Sequence, residues 1–279
     1  MRLVYSPKYV VDLGGHVFPT RKFALAADLV DLPRVEPALP TRTELELAHA
    51  PLWLDKVEGC RATLEEETAM ELRLTPEVSL AHRLQVGGTL LAARLALADG
   101  VGLHAGGGSH HAFADHGEGF CVLNDLAVAA KALGLRTAIV DLDVHQGNGT
   151  ASICAGDPDI FTFSMHQAGL YPERRERSSL DVELPAGTGD ERYLTELRAA
   201  LAKVKAWGPE LVLYQAGVDC AGGDLLGGLA LTKEGLSERD RLVRGLGAPT
   251  AVTLGGGYME DVGRTAELHA QTLRIFSGR

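Results

Sequence analysis

The sequence predicts a single α/β domain built on a parallel sheet, because short apolar runs alternate with longer amphipathic stretches along the chain. A chain of 279 residues could form one large domain or two small ones, and its 46% apolar content is enough for a sizeable core. Polar residues of unusual type stand where the predicted strands end, and that edge of an open α/β sheet is where ligands bind. We therefore expect one domain over residues 1–279 with its site at that edge.

Five apolar runs are predicted strands, since each is nearly continuous and ends in Gly, Asp or Ser. They are RLVYS near the start, TAIVDLD (137–143), DIFTFS (159–164), ELVLYQAG (210–217) and PTAVTLGGG (249–257). Amphipathic stretches predict helices over 78–98, 123–134, 190–208 and 234–247. The proline-rich segment 28–76 predicts short helices joined by turns. No stretch is long and polar enough to be a linker, and no internal repeat is visible.

Charge and cysteine content limit the classes of function. The formal net charge of −10 argues against direct nucleic-acid binding, and it either steers a cationic substrate or only keeps the protein in solution. The four cysteines have no CxxC spacing, which predicts a reducing compartment. Neither a signal peptide nor an apolar run of membrane-spanning length is visible, so we expect a cytoplasmic protein with no membrane partner. The oligomeric state stays open.

The segment Asp141-Leu142-Asp143-Val144-His145 predicts a metal site. If the strand continued through it, Asp141, Asp143 and His145 would project from one face. Two carboxylates and an imidazole on one face are costly unless a cation lies among them, and a divalent metal would resolve the cost. The alternative is a surface strand with exposed charges. The apolar residues before the segment argue against that alternative.

Asp219 follows another predicted strand and has two interpretations. It either caps the next helix or supplies a third metal ligand beside Asp143 and His145. A histidine with two carboxylates leaves coordination positions open for water and substrate, as a catalytic site requires.

His110 and His111 follow a glycine-rich turn and could be further metal ligands, general bases or exposed loop residues. Histidine has the right pKa range for a base, and Asp141 would be free to orient one of the two.

Tyr258 follows three glycines, at 255–257, that end the last predicted strand. Glycine permits close approach of backbone to a ligand, and a phenol beside a metal can hydrogen-bond a developing oxyanion. The alternatives are a packing tyrosine in a glycine turn and a phosphate-binding loop. The second lacks the Lys-Ser/Thr pair of a P-loop.

Taken together, five segments of the sequence resemble the histone deacetylase family, which includes bacterial acetoin-utilisation and acetylpolyamine deacetylases. They are GSHHAFADHGEGFCVLND (108–125), IVDLDVHQGNGT (139–150), FSMH (163–166), QAGVDCAGGDLLGGLALT (215–232) and LGGGYME (254–260). The resemblance implies the arginase–deacetylase fold, a central parallel sheet of about eight strands flanked by helices. It also implies a deacetylase domain that hydrolyses acyl-amides with metal-activated water.

The resemblance implies two cation sites. The zinc ligands are matched by Asp143, His145 and Asp219, and oxygen-rich ligation of this kind also accepts Fe²⁺ or Co²⁺. A structural potassium site beside the zinc is matched by Asp141, Ser164 and Met165. Arginases share the fold but hold two manganese ions with richer ligation, so a mononuclear site is expected here.

The resemblance also implies catalytic roles. His111 matches the general base and His110 its electrostatic partner, while Asp141 matches the carboxylate that pairs with His110. Tyr258 matches the residue that polarises the scissile carbonyl. Asn148 stands where class I enzymes have an aspartate, so His111 would have a neutral partner.

A substrate tunnel is implied as well, lined by Gly119, Phe120, Tyr171, Leu226 and Gly256. Leu225 stands where many members have proline beside the tunnel. The segments GHVFPTRK (15–22), GLYPE (169–173) and GGDLLGGLALT (222–232) are similar to class IV deacetylases and their bacterial relatives.

The substrate has several interpretations. Acyl-lysine on protein, with an acetyl or longer acyl group, is the first. A small acetylated amine or polyamine is the second, although Leu226 stands where an acidic residue would meet a distant ammonium. A catalytically silent acyl-lysine binding module on the same scaffold is the third, and it predicts decay of ligand or proton-transfer residues, of which none is missing.

Overall fold

Eight parallel strands form the sheet at the centre of the molecule, in the order β2-β1-β3-β8-β7-β4-β5-β6. The computed structural model describes residues 1–278. The strands are β1 (Leu3–Val4), β2 (Arg34–Val35), β3 (Val101–His104), β4 (Thr137–Asp141), β5 (Ile160–Gln167), β6 (Leu180–Leu184), β7 (Leu211–Gln215) and β8 (Thr250–Thr253). The predicted α/β class and the sheet of about eight parallel strands are confirmed.

Ten α-helices among residues 1–278 cover both faces of this sheet. They are α1 (Lys22–Asp28), α2 (Arg42–Glu46), α3 (Pro51–Gly59), α4 (Leu64–Met70), α5 (Pro76–Asp99), α6 (Asp125–Leu133), α7 (Asn148–Ile153), α8 (Asp190–Trp207), α9 (Lys233–Arg244) and α10 (Val262–Ser277). A short 3₁₀ turn occupies Pro7–Tyr9. In the described part of the chain, no helix combines the length and apolar character needed to cross a bilayer.

Alternation along the strands divides the core into two layers. Ala138 and Val140 of β4 pack with α1, α8, α9 and α10, whereas Ile139 between them packs with α3, α5 and α6. Strands covered on both faces are buried at every position and mostly apolar, which is why β4, β7 and β8 are recognisable as nearly continuous apolar runs.

All five predicted strands and all four predicted helices are present, with ends that differ by a few residues. The segment 28–76 contains short helices, as expected. Three strands and three helices, α1, α7 and α10, lie outside the predictions. β2 has only two residues, and β6 alternates between exposed and half-buried positions at the edge of the sheet, so neither is a continuous apolar run.

A buried ion pair ties the sheet to α9. Arg239 and Asp240 are fully buried, and Arg239 Nε donates to Asp240 Oδ1 at 3.0 Å. Asp240 also accepts hydrogen bonds from the hydroxyls of Tyr214 and Thr272, each at 2.6 Å. Arg239 Nη1 donates to the carbonyl oxygen of Gly217 at 2.5 Å. The pair therefore fixes the segment that follows β7.

We expect Asp240→Asn to lower the free energy of unfolding by about 3–5 kcal/mol, because it leaves the buried guanidinium without its counter-charge. Urea denaturation at neutral pH measures this. The control is Glu238→Gln, whose partner Arg198 is half exposed, and its loss should stay below about 1 kcal/mol. Equal losses in the two variants would contradict the assignment.

His49 is a buried histidine held in its neutral form. The backbone N–H of Asn124 donates to His49 Nε2 at 2.9 Å, and Asn124 in turn caps α6. Burial lowers the pKa of His49 to about 4. Protonation of Nε2 would break the hydrogen bond to Asn124.

Stability should therefore fall as the pH drops from the unfolded histidine pKa of about 6.5 towards the folded value near 4. Over that window His49 binds a proton in the unfolded chain but not in the folded one. The free energy of unfolding therefore falls by up to about 3 kcal/mol. We expect His49→Gln, which keeps an acceptor for Asn124, to lose less stability than wild type between pH 7.5 and 4.5. Urea denaturation across that range measures the difference, and parallel curves would contradict the prediction.

Candidate metal centre and catalytic pocket

The loops after four neighbouring strands, β3, β8, β7 and β4, meet at one edge of the sheet and carry the predicted site residues. One expectation about this edge is wrong: β4 ends at Asp141 and does not continue through His145. The chain turns there because the N–H of Asp143 donates to Asp141 Oδ1 and the N–H of His145 donates to Asp143 Oδ1. Side-chain-to-backbone bonds of this kind replace the strand ladder.

Asp143, His145 and Asp219 form a buried cluster. Each offers one donor atom, and these atoms lie within 4.8 Å of one another. Asp219 Oδ1 accepts the N–H of Val144 at 2.9 Å, while Asp219 Oδ2 is buried and accepts no hydrogen bond. Burial, and then the neighbouring Asp143 carboxylate, raises the pKa of Asp219 to about 7.

An unsatisfied carboxylate oxygen beside a second carboxylate and an imidazole fits a divalent cation, which would supply the missing partner. The alternative interpretation of Asp219 as a helix cap has no support, because α9, the next helix, is capped by Thr232.

Two glycines make room for these ligands. A Cβ on Gly256 would lie 2.0 Å from Asp219 Oδ2 and 2.5 Å from Asp143 Oδ2. A Cβ on Gly217 would lie 2.3 Å from Asp143 Oδ2. The same oxygen of Asp143 accepts the N–H of Gly256 at 3.0 Å and Gln215 Nε2–H at 2.8 Å. Glycine at both positions therefore leaves room for these carboxylates, which a Cβ would displace.

The two predicted histidines stand side by side with unlike partners. Their ring centroids are 4.0 Å apart. Nδ1–H of His110 donates to Asp141 Oδ2 at 2.7 Å, and Nδ1–H of His111 donates to Asn148 Oδ1 at 2.8 Å. Asn148 donates from Nδ2 to Glu118 at 3.0 Å. Both rings thus direct Nε2 away from these partners.

The pKa values of His110 and His111 differ because their surroundings differ. Burial opposes protonation of His110, but the carboxylates of Asp141 and Asp143 outweigh it and raise its pKa to about 9. Burial, and then the charge on His110, lowers the pKa of His111 well below its usual value. At neutral pH His110 is charged and His111 is neutral, with a free lone pair at Nε2.

Asp125, which the sequence did not single out, supports the histidine loop. Its Oδ1 accepts the N–H of Ser109 at 2.7 Å, and its Oδ2 accepts the hydroxyl of Thr89 at 2.5 Å. It is the first residue of α6 and is fully buried. An acid at the start of an otherwise apolar helical stretch is the sequence signal that could have identified it.

Tyr258 lies beside a buried lysine that the sequence also left unassigned. Lys22 Nζ lies 4.7 Å from the centre of the Tyr258 ring and donates to the carbonyl oxygen of Gly257 at 3.2 Å. Burial lowers the pKa of Lys22 to about 8. Burial, and then Asp143 and Asp219, raises the pKa of the Tyr258 phenol well above its usual value. The phenol therefore carries its proton and can donate it in a hydrogen bond.

An outer cavity of about 330 Å³ leads from the surface to His111, His145 and Tyr258. Four predicted tunnel residues line it, namely Gly119, Phe120, Tyr171 and Leu226. Leu225 stands at its mouth and is 60% exposed. The fifth predicted tunnel residue, Gly256, lies deeper, where it contacts the metal-site carboxylates instead.

The predicted potassium ligands lie on adjacent strands. Asp141 of β4 is paired with Ser164 of β5, and Met165 follows Ser164. Asp141 is at the same time the hydrogen-bond acceptor of His110, and Ser164 Oγ lies 2.9 Å from His166 Nδ1. The potassium site stays a prediction.

Comparison with known proteins gives a consistent match. The histone deacetylase domain family matches residues 20–273. An uncharacterized protein of Picosynechococcus sp. is 42% identical, over 93% of each chain. Histone deacetylase 2 of Arabidopsis thaliana is 32% identical, over 94% of this chain and 76% of its own length. The crystal structure of the HDA15 HD domain shares the fold with a TM-score of 0.84 at 23% identity, covering 100% of this chain and 91% of that one.

We expect Gly256→Ala to weaken Zn²⁺ binding by about 10- to 100-fold, the effect typical of disturbing groups that hold metal ligands. The added methyl group would displace the carboxylates of Asp219 and Asp143. Competition with a chromophoric chelator measures the affinity. Gly189→Ala is the matched control, because its Cβ would meet nothing closer than 3.9 Å. Wild-type affinity in Gly256→Ala would contradict the steric argument.

Proposed function

Since the chain belongs to the histone deacetylase family, we propose that it is a zinc-dependent amidohydrolase that removes acyl groups from acyl-lysine. Family membership indicates hydrolysis of acyl groups in general. The observation that carries the finer proposal is the buried Asp143–His145–Asp219 cluster, with its orphaned Asp219 oxygen, at the inner end of a cavity open to the surface. We further propose that residues 1–279 act as one deacetylase domain in the cytoplasm, without a nucleic-acid or membrane partner.

Zinc held by Asp143, His145 and Asp219 would acidify a water molecule and polarise the acyl carbonyl. Fe²⁺ or Co²⁺ would suit the same donors. A structural potassium ion at Asp141, Ser164 and Met165 remains part of the proposal, since Asp141 and Ser164 are cross-strand neighbours.

His111 is the proposed general base. It is neutral because burial and the charged His110 ring beside it lower its pKa. Asn148 holds its Nδ1–H, so Nε2 is free to take a proton from the attacking water. The amide C–N bond then breaks, and the proton returns from Nε2 to the leaving amine. His110, which is paired with Asp141, holds its positive charge beside the ring of His111 and so helps to keep that ring neutral.

Tyr258 is the proposed oxyanion donor. Its phenol is protonated and belongs to the lining of the outer cavity together with His111 and His145. A donor fixed in advance stabilises the tetrahedral oxyanion more than the planar amide. Asp224 fixes the backbone by accepting the N–H of Tyr258 at 2.7 Å, and Lys22 supports the ring.

The outer cavity suits the linear methylene stem of acyl-lysine, because Phe120, Leu170 and Leu226 give it apolar walls. A second candidate substrate is a small acylated amine or polyamine. Glu71, an exposed residue with a left-handed φ of 54°, lines the same cavity, and its carboxylate would meet a distant ammonium. A non-catalytic acyl-lysine binding module is disfavoured, since the ligand and proton-transfer residues are all present.

We expect a chelator to abolish hydrolysis of an acetyl-lysine peptide and Zn²⁺ to restore it. Tyr258→Phe should lose roughly 10²- to 10³-fold in kcat, the loss typical of one oxyanion donor, with Zn²⁺ affinity unchanged. Liquid chromatography of the deacetylated peptide measures hydrolysis with and without the chelator, and it measures kcat of Tyr258→Phe. Tyr5→Phe is the control, because Tyr5 belongs to the core and lines neither this cavity nor the metal cluster.

Chelator-resistant hydrolysis would refute the metal dependence, and a fully active Tyr258→Phe would remove Tyr258 from the mechanism. An N-acetylated diamine in the same assay tests the second candidate. If the diamine is the better substrate and Glu71→Gln lowers its kcat/KM alone, the polyamine alternative replaces acyl-lysine.

A further inference from the structure

Glu118 is a half-buried residue behind the proposed base, and no step of the proposed mechanism uses it. Asn148 lies between the two: its Oδ1 accepts Nδ1–H of His111 at 2.8 Å, and its Nδ2 donates to Glu118 Oε2 at 3.0 Å. Glu118 does not line the outer cavity, so it has no direct contact with a substrate held there. Any effect of Glu118 on the reaction must therefore pass through a neighbouring side chain.

A tight turn fixes the backbone that carries Glu118. Gly119 and Phe120 follow it with left-handed φ angles of 47° and 66°, and the N–H of Cys121 donates back to the carbonyl oxygen of Glu118 at 2.8 Å. The N–H groups of Gly119 and Phe120 donate to carbonyl oxygens at the end of α4, at 3.1 and 2.8 Å. The carboxylate is therefore presented to Asn148 from a braced loop.

The acceptors around Asn148 determine which way its amide faces. An ionised carboxylate accepts hydrogen bonds and donates none, and the same is true of the carbonyl oxygen of Arg174, which lies 3.4 Å from Asn148 Nδ2. The NH₂ group of Asn148 must face these two acceptors, so its Oδ1 must face His111. An oxygen at this place requires the proton of a neutral His111 ring to be on Nδ1, which leaves the lone pair on Nε2.

An amide behind a catalytic histidine needs such a constraint, because it has a donor at one end and an acceptor at the other. If the Asn148 amide turned end for end, its NH₂ group would donate to His111 Nδ1 and the ring proton would move to Nε2. That tautomer has no lone pair with which to take a proton from the attacking water. A carboxylate in place of the amide would not need the constraint, since it has no donor to present.

The other oxygen of Glu118 is held from the surface side. His116 Nε2 lies 3.3 Å from Glu118 Oε1, and His116 Nδ1 lies 2.7 Å from Asp115 Oδ1. The His116 ring is stacked on Phe113 with 4.6 Å between centroids and 9° between planes. This contact keeps Glu118 Oε2 turned towards Asn148.

We propose that Glu118 is a positioning residue that selects the productive tautomer of His111 by fixing the orientation of the Asn148 amide. The inference rests on the proposed function, in which His111 Nε2 takes a proton from water. It adds to that function a residue that acts on the base from the side away from the substrate.

The direct test is nuclear magnetic resonance of the zinc-loaded protein labelled with nitrogen-15 histidine. Long-range proton–nitrogen correlation spectra show which ring nitrogen carries the proton, and a His111→Gln spectrum identifies the His111 signals by their loss. Wild type should have the proton on Nδ1. Glu118→Met keeps the length of the side chain but removes both oxygens, so it should shift His111 towards the tautomer with the proton on Nε2.

Kinetics on an acetyl-lysine peptide provide the second readout. Glu118→Met should lower kcat by about 10- to 100-fold, the loss typical of removing a group that orients a functional histidine, with KM unchanged. Glu118→Gln keeps an acceptor oxygen for Asn148 and should retain more of kcat than Glu118→Met.

The comparison of kcat with KM separates this role from a second contact of Glu118. Burial, and then the Glu118 carboxylate, raises the pKa of Tyr171, a residue that lines the outer cavity. An effect that passed through Tyr171 would change substrate binding and would appear in KM.

Glu44→Met is the matched control. The Glu44 side chain is 22% exposed, against 26% for Glu118, and it also accepts hydrogen bonds, from Thr41 and Arg94. Glu44 lies on α2 and does not line the outer cavity. Its substitution should leave the His111 tautomer and kcat as in wild type.

Three results would overturn the inference: an unchanged His111 tautomer in Glu118→Met, a loss confined to KM, or equal losses of kcat in Glu118→Met and Glu118→Gln. If Glu118→Met does not fold, Glu118→Ala decides by the same two measurements. Failure of wild type on the acetyl-lysine peptide would instead refute the proposed function, and the spectra would still decide whether Glu118 sets the tautomer.

Discussion

Asp141, Asp143 and Asp219 are buried together where the central strands end, and each carboxylate is almost inaccessible to water. Three like charges in a region of low dielectric repel one another strongly, so the groups around them must be donors or cations. The surroundings meet this requirement with the His110 ring, the amide of Gln215 and the backbone N–H groups of Val144 and Gly256. One oxygen, Asp219 Oδ2, has no hydrogen bond, and it is the atom at which the protein's own donors are insufficient.

That electrostatic requirement explains the form of the neighbouring loops. Glycine at 217 and 256 lets backbone approach the carboxylates, and the Arg239–Asp240 pair fixes the segment after β7 from behind. The four strands whose loops contribute are adjacent in the sheet, so the carboxylates and histidines converge without long excursions of the chain. Helices on both faces hold the sheet rigid, and the site residues lie at the edge where the strands end.

The sequence predicted those parts of the molecule that depend on local pattern. Strands such as β4 and β7 are buried at each position and mostly apolar because both faces are covered, and the polar residues at and after their ends mark the site edge. β3 was missed because VGLH is short and follows directly on α5, and β6 because an edge strand is not continuously buried. The strand end at Asp141 was misjudged, since side-chain-to-backbone bonds there compete with the ladder.

Local sequence pattern could not predict the residues that reach the site from distant parts of the chain. Lys22, at the start of an amphipathic helix, has the sequence context of an ordinary surface lysine, and only the tertiary structure buries it beneath Tyr258. Glu71 ends a short helix, and its place at the outer cavity depends on the path of the proline-rich segment. The hydrogen bonds of His110 to Asp141 and of His111 to Asn148 join two of the segments that carry the family resemblance.

The hydrogen bond from Lys22 to the carbonyl oxygen of Gly257 joins residues 235 positions apart. During synthesis the ribosome releases the N-terminal partner long before the glycine-tyrosine turn exists. Val17, Phe18 and Lys22 therefore lack these neighbours until residues 257 and 258 have been synthesised. The outer cavity is incomplete until the loop after β8, which carries Tyr258, has been synthesised. A chain that stops before Gly257 lacks both the acceptor of Lys22 and Tyr258, which lines the outer cavity.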